Sequence, residues 1–98
     1  MNNYSIKEFV AKIRLRSVMY ITRSDIFCLK AYLDGWVFGA GDKIDDLWIM
    51  RDFQIWIEKK YQTRTDHSWT SLIAFNSRDN SEALQNFFSL FDEFLAGK

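Results

Sequence analysis

The residues with the clearest chemical potential lie in one stretch, residues 36–48, which reads WVFGAGDKIDDLW. Two glycines are followed by three acids: Asp42, Asp45 and Asp46. A phosphate-binding loop follows a strand and opens a helix, whereas this stretch follows a helical pattern and its acids would repel phosphate. An EF-hand calcium loop needs alternating acids and a closing glutamate, which are missing here. The stretch therefore predicts a helix boundary, where glycine ends one helix and Asp45 or Asp46 favours the N-terminus of the next.

Residue types that can act in catalysis are sparse. Asp66, His67 and Ser68 are adjacent in sequence, but catalytic triads depend on a spatial geometry that chain neighbours seldom reach. Asp66 or Ser68 is therefore predicted to cap a helix, with His67 at the surface or an interface. Cys28 lies in an apolar helical segment, where a thiol behaves as an inert small hydrophobe. We expect a protein that is not an enzyme and that binds neither cofactor nor metal. A pocket joining His67 to Cys28 or to a carboxylate pair would revive a catalytic interpretation.

Composition limits the classes of protein that this chain fits. It has 98 residues, of which 48% are hydrophobic, enough for one domain with a modest core. The 13 basic and 13 acidic residues balance, whereas a nucleic-acid binder normally has a basic excess. One cysteine and one histidine exclude an internal disulfide and argue against an ordinary zinc site. No signal-peptide pattern and no run of about 18 apolar residues is visible, so we expect a cytoplasmic protein without a membrane span.

Helical periodicity predicts an all-α fold, a single compact domain of four to five helices over residues 1–98. The chain contains no proline, so glycine and capping residues must end the helices. Capping boxes predict that the first helix begins at Ser5, with Glu8, and the last at Asp79, with Glu82.

Three further helices are predicted between these two. Residues 24–40, capped by Ser24, are apolar on two opposite faces, so we expect this helix to be buried on both faces at the centre of the fold. The next helix is predicted at about residues 44–62, and residues 68–76 favour helix over strand. Residues 17–22 are predicted to form a loop that links the first two helices.

Charge is unevenly spread, with basic residues dominating positions 1–23 and acids dominating positions 24–46. Such patches usually remain solvated, and recognition of a basic partner is the more specific interpretation. Trp48 lies away from the main apolar stripe of its predicted helix, so it either anchors a partner or packs under another helix. The candidate partner-binding residues are Asp34, Asp42, Asp45, Asp46, Trp48 and Asp52.

Five short motifs occur in order over residues 16–95. They are RSVMYIT at 16–22, LDGW at 33–36, FQIWI at 53–57 with Tyr61, HSWTSLI at 67–73, and ALQNFF at 83–88. In this order they resemble small bacterial immunity proteins, the antidotes of contact-dependent growth inhibition and related polymorphic toxin systems. Ser17 and Thr22 depart from the family's pattern, which has proline and glycine at these positions.

The resemblance implies a non-enzymatic protein that binds one cognate secreted or contact-delivered toxin domain and neutralises it. Such toxins are frequently nucleases, and a ribonuclease is the favoured class. A nuclease site is basic because it holds phosphates, so carboxylates of an inhibitor fit it and opposite charge speeds the encounter. The resemblance implies no direct contact with nucleic acid or membrane, and it leaves the oligomeric state open.

Two other functions stay open. A helical nucleic-acid-binding regulator would use Arg14, Arg16 and Arg23, and salt-dependent retention on DNA would indicate it. A small hydrolase would use His67, and turnover that is lost in His67→Ala would indicate it. A large secreted toxin gene directly upstream would favour immunity over both.

Overall fold

The computed structural model describes residues 4–15, 25–63 and 67–97. Within these ranges the chain forms five α-helices and no β-strand, so the prediction of an all-α fold is confirmed. The helices are α1 (Ile6–Leu15), α2 (Ile26–Ala40), α3 (Trp48–Lys60), α4 (Trp69–Phe75) and α5 (Asn80–Ala96). A short 3-10 helix, Gly41–Lys43, follows α2. Three predictions lie outside the described residues: the loop at residues 17–22 and the helix caps Ser24 and Asp66.

Side-chain oxygens cap four of the five described helices, because the first N–H groups of a helix have no partner within it. The caps and their N–H donors are Ser5 with Glu8 (3.3 Å), Asp25 with Phe27 (2.7 Å), Ser68 with Ser71 (3.4 Å) and Asp79 with Glu82 (2.8 Å). The predicted caps Ser5, Ser68 and Asp79 are therefore confirmed, and the observed cap of α2 is Asp25.

The ring of Phe53 in α3 lies at the centre of the hydrophobic core. Phe53 is fully buried, and its ring contacts five others at centroid distances from 5.3 to 6.0 Å. These rings belong to Trp56, Trp69, Phe87, Phe91 and Phe94. Because Trp69 lies in α4 and the three phenylalanines lie in α5, one side chain joins three helices through mostly edge-to-face contacts.

Helix α2 packs on α4 and α5, and the ring of its Trp36 stacks on Phe9 of α1. Leu29 and Leu33 are buried on one face, whereas Phe27 and Phe38 on the opposite face are 42% and 91% exposed. The prediction that α2 is buried on both faces is therefore wrong. The helices that pack against α2 in the described ranges bury Leu29 and Leu33 and leave Phe27 and Phe38 exposed.

Helix α3 begins at Trp48, later than the predicted start near Ile44, because the preceding residues pair with the N-terminal end of α1. The N–H of Tyr4 donates to the carbonyl of Lys43 at 2.9 Å, and the N–H of Asp45 donates to the carbonyl of Tyr4 at 2.8 Å. Tyr4 and Ile44 thus form an isolated parallel bridge. This pairing holds Ile44 in an extended conformation, with φ −87° and ψ 123°, which a helix does not allow.

Candidate partner-binding surface

The segment between α2 and α3, residues 41–47, is termed the connector. It begins at Gly41, whose φ of +56° is a conformation that favours glycine. The N–H of Gly41 donates to the carbonyl of Val37 and so satisfies the last turn of α2. The prediction that glycine ends this helix is confirmed. The same hydrogen bond ties the first residue of the connector to α2.

Asp46 of the connector is 8% exposed and caps α1 from across the fold. Its Oδ1 accepts from the N–H of Ile6 at 2.6 Å, and its Oδ2 accepts from the hydroxyl of Ser5 at 3.0 Å and the N–H of Lys7 at 3.2 Å. A carboxylate is favourable there because the first turn of a helix presents free N–H groups and a partial positive charge. Asp46 therefore leaves the set of candidate partner-binding residues, because its oxygens face α1. Asp46 caps the N-terminus of α1, whereas the sequence predicts that Asp45 or Asp46 stabilises the N-terminus of the following helix, α3.

The remaining acids of the connector face outwards. Asp42 and Asp45 are exposed, while Ile44 between them is 5% exposed and belongs to the core. Leu47 and Trp48 follow with 44% and 45% exposure, so both side chains are about half-exposed. We define the connector surface as Asp42, Asp45, Leu47 and Trp48. It combines two carboxylates with a large aromatic ring, and Lys43 is exposed between the acids.

The other two candidate residues lie outside the connector. Asp34 is exposed on α2, where its Oδ2 lies 2.6 Å from the Nζ of Lys30 in an i,i+4 ion pair. Asp52 is half-buried on α3, one turn after Trp48, with its Oδ1 4.0 Å from the Nε of Arg51. Their binding roles stay predictions. Asp42, Asp45 and Trp48 thus lie within seven consecutive residues, whereas Asp34 lies on α2.

Sequence reasoning missed two exposed features. Leu47 was placed inside a helix, although it ends the connector beside Trp48. The sequence predicts that Phe27 and Phe38 of α2 are buried, whereas both are exposed. A signal for the second feature was present, because an apolar stripe opposite the core-facing stripe also fits a partner-binding face.

The residues considered for catalysis do not come together in the grooves formed by α1. One groove lies between α1 and α2 and another between α1 and α5, and neither is lined by His67 or Cys28. The His67 ring instead contacts Phe75 edge-to-face, with centroids 5.4 Å apart. In the described ranges, no three His, Cys, Asp or Glu side chains are grouped to hold a metal ion. Among the helices of those ranges, none has both the length and the apolar character needed to cross a bilayer.

The basic residues proposed for nucleic-acid binding are only partly described. Arg14 forms an ion pair with Asp92 and lies 5.6 Å from the centroid of the Phe88 ring. Arg16 and Arg23 lie outside the described residues. Arg14 therefore packs against α5 through two side-chain contacts.

Comparison with known proteins gives no relative from which a function can be transferred. No protein-family model, no curated protein and no solved structure matches this chain.

Proposed function

We propose that this protein is an immunity protein that binds one cognate bacterial toxin domain, a ribonuclease, and neutralises it in the cytoplasm without catalysis. The observation that carries the proposal is the connector surface, where two exposed carboxylates and a half-exposed tryptophan lie within residues 42–48. The order of the sequence motifs supports it from the residues alone.

The connector surface has the composition of an anchor for a basic partner. Tryptophan is enriched among the residues that dominate binding energy, since its large ring buries much area with few rotatable bonds. Asp42 and Asp45 add negative charge beside that ring, and a nuclease site is basic because it holds phosphates. The two features together favour a partner that presents a cationic cleft with an apolar rim.

The connector is also held rigidly before any partner arrives. Backbone hydrogen bonds join Tyr4 to Lys43 and Asp45 at 2.9 and 2.8 Å, and Asp46 is fixed by three hydrogen bonds to residues 5–7. A segment that is already ordered loses little conformational entropy on binding, which favours affinity. Asp42 and Asp45 are thus presented on a fixed backbone.

Co-expression tests the function directly. Cells that produce the toxin domain encoded beside this gene should survive when they also produce this protein, and the two proteins should co-purify in a one-to-one complex. Equal killing with and without this protein would contradict the proposal.

Charge reversal tests the surface. Asp42→Lys with Asp45→Lys should keep the fold, since both side chains are exposed, and should lower the association rate for the toxin. The loss should shrink as salt rises, because exposed charges are screened over about 10 Å at 0.1 M salt. Binding kinetics at two salt concentrations, with circular dichroism as the check of folding, measure both effects.

The matched control reverses two acids on another face. Asp92→Lys with Glu93→Lys on α5 changes the net charge by the same amount, so it reports any effect of overall charge; since it also breaks the ion pairs with Arg14 and Lys60, circular dichroism checks its folding too. If both double variants slow association equally, the connector surface is not the binding site, although the protein can still be the antidote.

A further inference from the structure

The outward face of α2 carries aromatic side chains that the fold leaves in water. Phe27 and Phe38 are 42% and 91% exposed, and Ala31 and Asp34 are exposed between them. Positions 27, 31, 34 and 38 fall in one stripe of a helix. We define the α2 face as Phe27, Lys30, Ala31, Asp34 and Phe38. An exposed apolar stripe with a polar rim is typical of a protein–protein contact.

We propose that the α2 face binds the α2 face of a second copy of this chain, as an antiparallel helix pair in a symmetric dimer. A two-fold axis perpendicular to the helix brings together residues that lie at equal distances on either side of it. With the axis between positions 32 and 33, Phe27 of one copy meets Phe38 of the other, and the reverse contact follows. Each exposed phenylalanine thereby gains an aromatic partner.

The charges of the α2 face fit the same axis. Lys30 and Asp34 lie on one flank of the face, and within one copy they form an ion pair at 2.6 Å. A two-fold axis near position 32 brings this flank against the same flank of the second copy. Lys30 then approaches Asp34 of the other copy in both directions, whereas a parallel pair would place this flank against the uncharged opposite flank of the second copy. The charge order therefore selects a second copy in the antiparallel orientation.

Two glycines on the other flank of α2 agree with a close helix contact. Against the described part of the chain, a Cβ added at Gly35 or Gly39 would meet no atom within 4 Å. The packing of a single copy therefore does not require glycine at these positions, although glycine is unfavourable inside a helix. A second backbone that approaches this flank would benefit from the missing side chains.

Sedimentation of the full chain alone, over a range of concentrations, tests the dimer without any toxin, so its outcome is independent of the proposed function. We expect a reversible monomer–dimer equilibrium that Phe38→Ser abolishes. The matched control is Phe75→Ser, which removes a 68% exposed phenylalanine from α4 and should leave the dimer unchanged. A wild-type chain that stays monomeric up to about 1 mM would overturn the proposal.

Two charge variants test the antiparallel arrangement. Lys30→Asp makes the flank wholly acidic and Asp34→Lys makes it wholly basic, so each variant alone should dimerise about tenfold more weakly. An equimolar mixture of the two should recover the dimer, because an acidic flank then faces a basic one. A mixture that associates no better than either variant alone would overturn this arrangement, and circular dichroism of each variant confirms folding.

Discussion

Aromatic residues are used differently in two regions of this molecule. Among α3, α4 and α5 the rings are mostly buried and contact one another around Phe53. Between α1 and α2, Phe9 stacks on Trp36 with centroids 4.1 Å apart, and Tyr4 and Tyr32 border a groove of about 280 Å³. The second region is fixed to the connector by the polar contacts of Asp46 rather than by a ring cluster. The comparison indicates that contacts between rings dominate the first region, whereas the second combines a ring stack with buried polar contacts.

The largest effect is expected at the centre of the first region. Phe53→Ala should lower the free energy of unfolding by about 3–5 kcal/mol, because it removes a fully buried ring and leaves a cavity. Urea denaturation measures the loss. The control is Trp56→Ala on the same helix, at a half-buried ring whose face lies 5.3 Å from the Nζ of Lys60. We expect a loss of about 2 kcal/mol there, and equal losses at both positions would contradict the central role of Phe53.

The next largest effect is expected at Asp46, whose hydrogen bonds join the connector to α1. Asp46→Asn should cost about 1–2 kcal/mol, because an amide nitrogen cannot accept a hydrogen bond in place of a carboxylate oxygen. Amide exchange of Ile6 and Lys7 should become faster, while exchange in α5 changes less. Asp45→Asn is the matched control at an exposed position and should change stability by less than about 0.5 kcal/mol. Identical exchange rates in the two variants would show that Asp46 does not hold α1.

The smallest effect is expected for the stacked rings of the second region. A double-mutant cycle with Phe9→Leu and Trp36→Leu should give a coupling energy of about 1 kcal/mol, typical of an aromatic pair beyond its buried area. The cycle of Phe9→Leu with Phe75→Leu is the control, since Phe75 lies exposed on α4, and its coupling should be near zero. A coupling as small as the control would mean that the stack contributes only buried area.

Sequence reasoning succeeded where the signal is local. The caps Ser5, Ser68 and Asp79 were predicted because capping requires only a side chain and an N–H a few residues later. The turn at Gly41 was predicted because few residues other than glycine adopt its backbone conformation. The all-α class followed from helical periodicity along the chain.

The failures concern contacts between distant parts of the chain. The sequence predicts Asp46 either as a partner-binding acid or at the N-terminus of the next helix, because its partners, Ser5 to Lys7, are about 40 residues away and leave no mark on the local pattern. For the same reason the start of α3 was placed too early. The second face of α2 was taken as buried because periodicity shows which residues share a face and does not show whether anything covers that face.

The contacts of Asp46 also bear on the order of events during folding. They join residues 39 to 41 positions apart, so they close a long loop, and its entropy is lost before the hydrogen bonds compensate for it. The contact of Phe53 with Trp69 spans only 16 positions, whereas its contacts with Phe91 and Phe94 span 38 and 41, so α3 and α4 are expected to pair before α5 or α1 docks. Interactions that form late affect the unfolding rate more than the folding rate. Loss of the Asp46 contacts should therefore mainly speed the undocking of α1, which Ile6, Val10 and Ile13 also hold in the core.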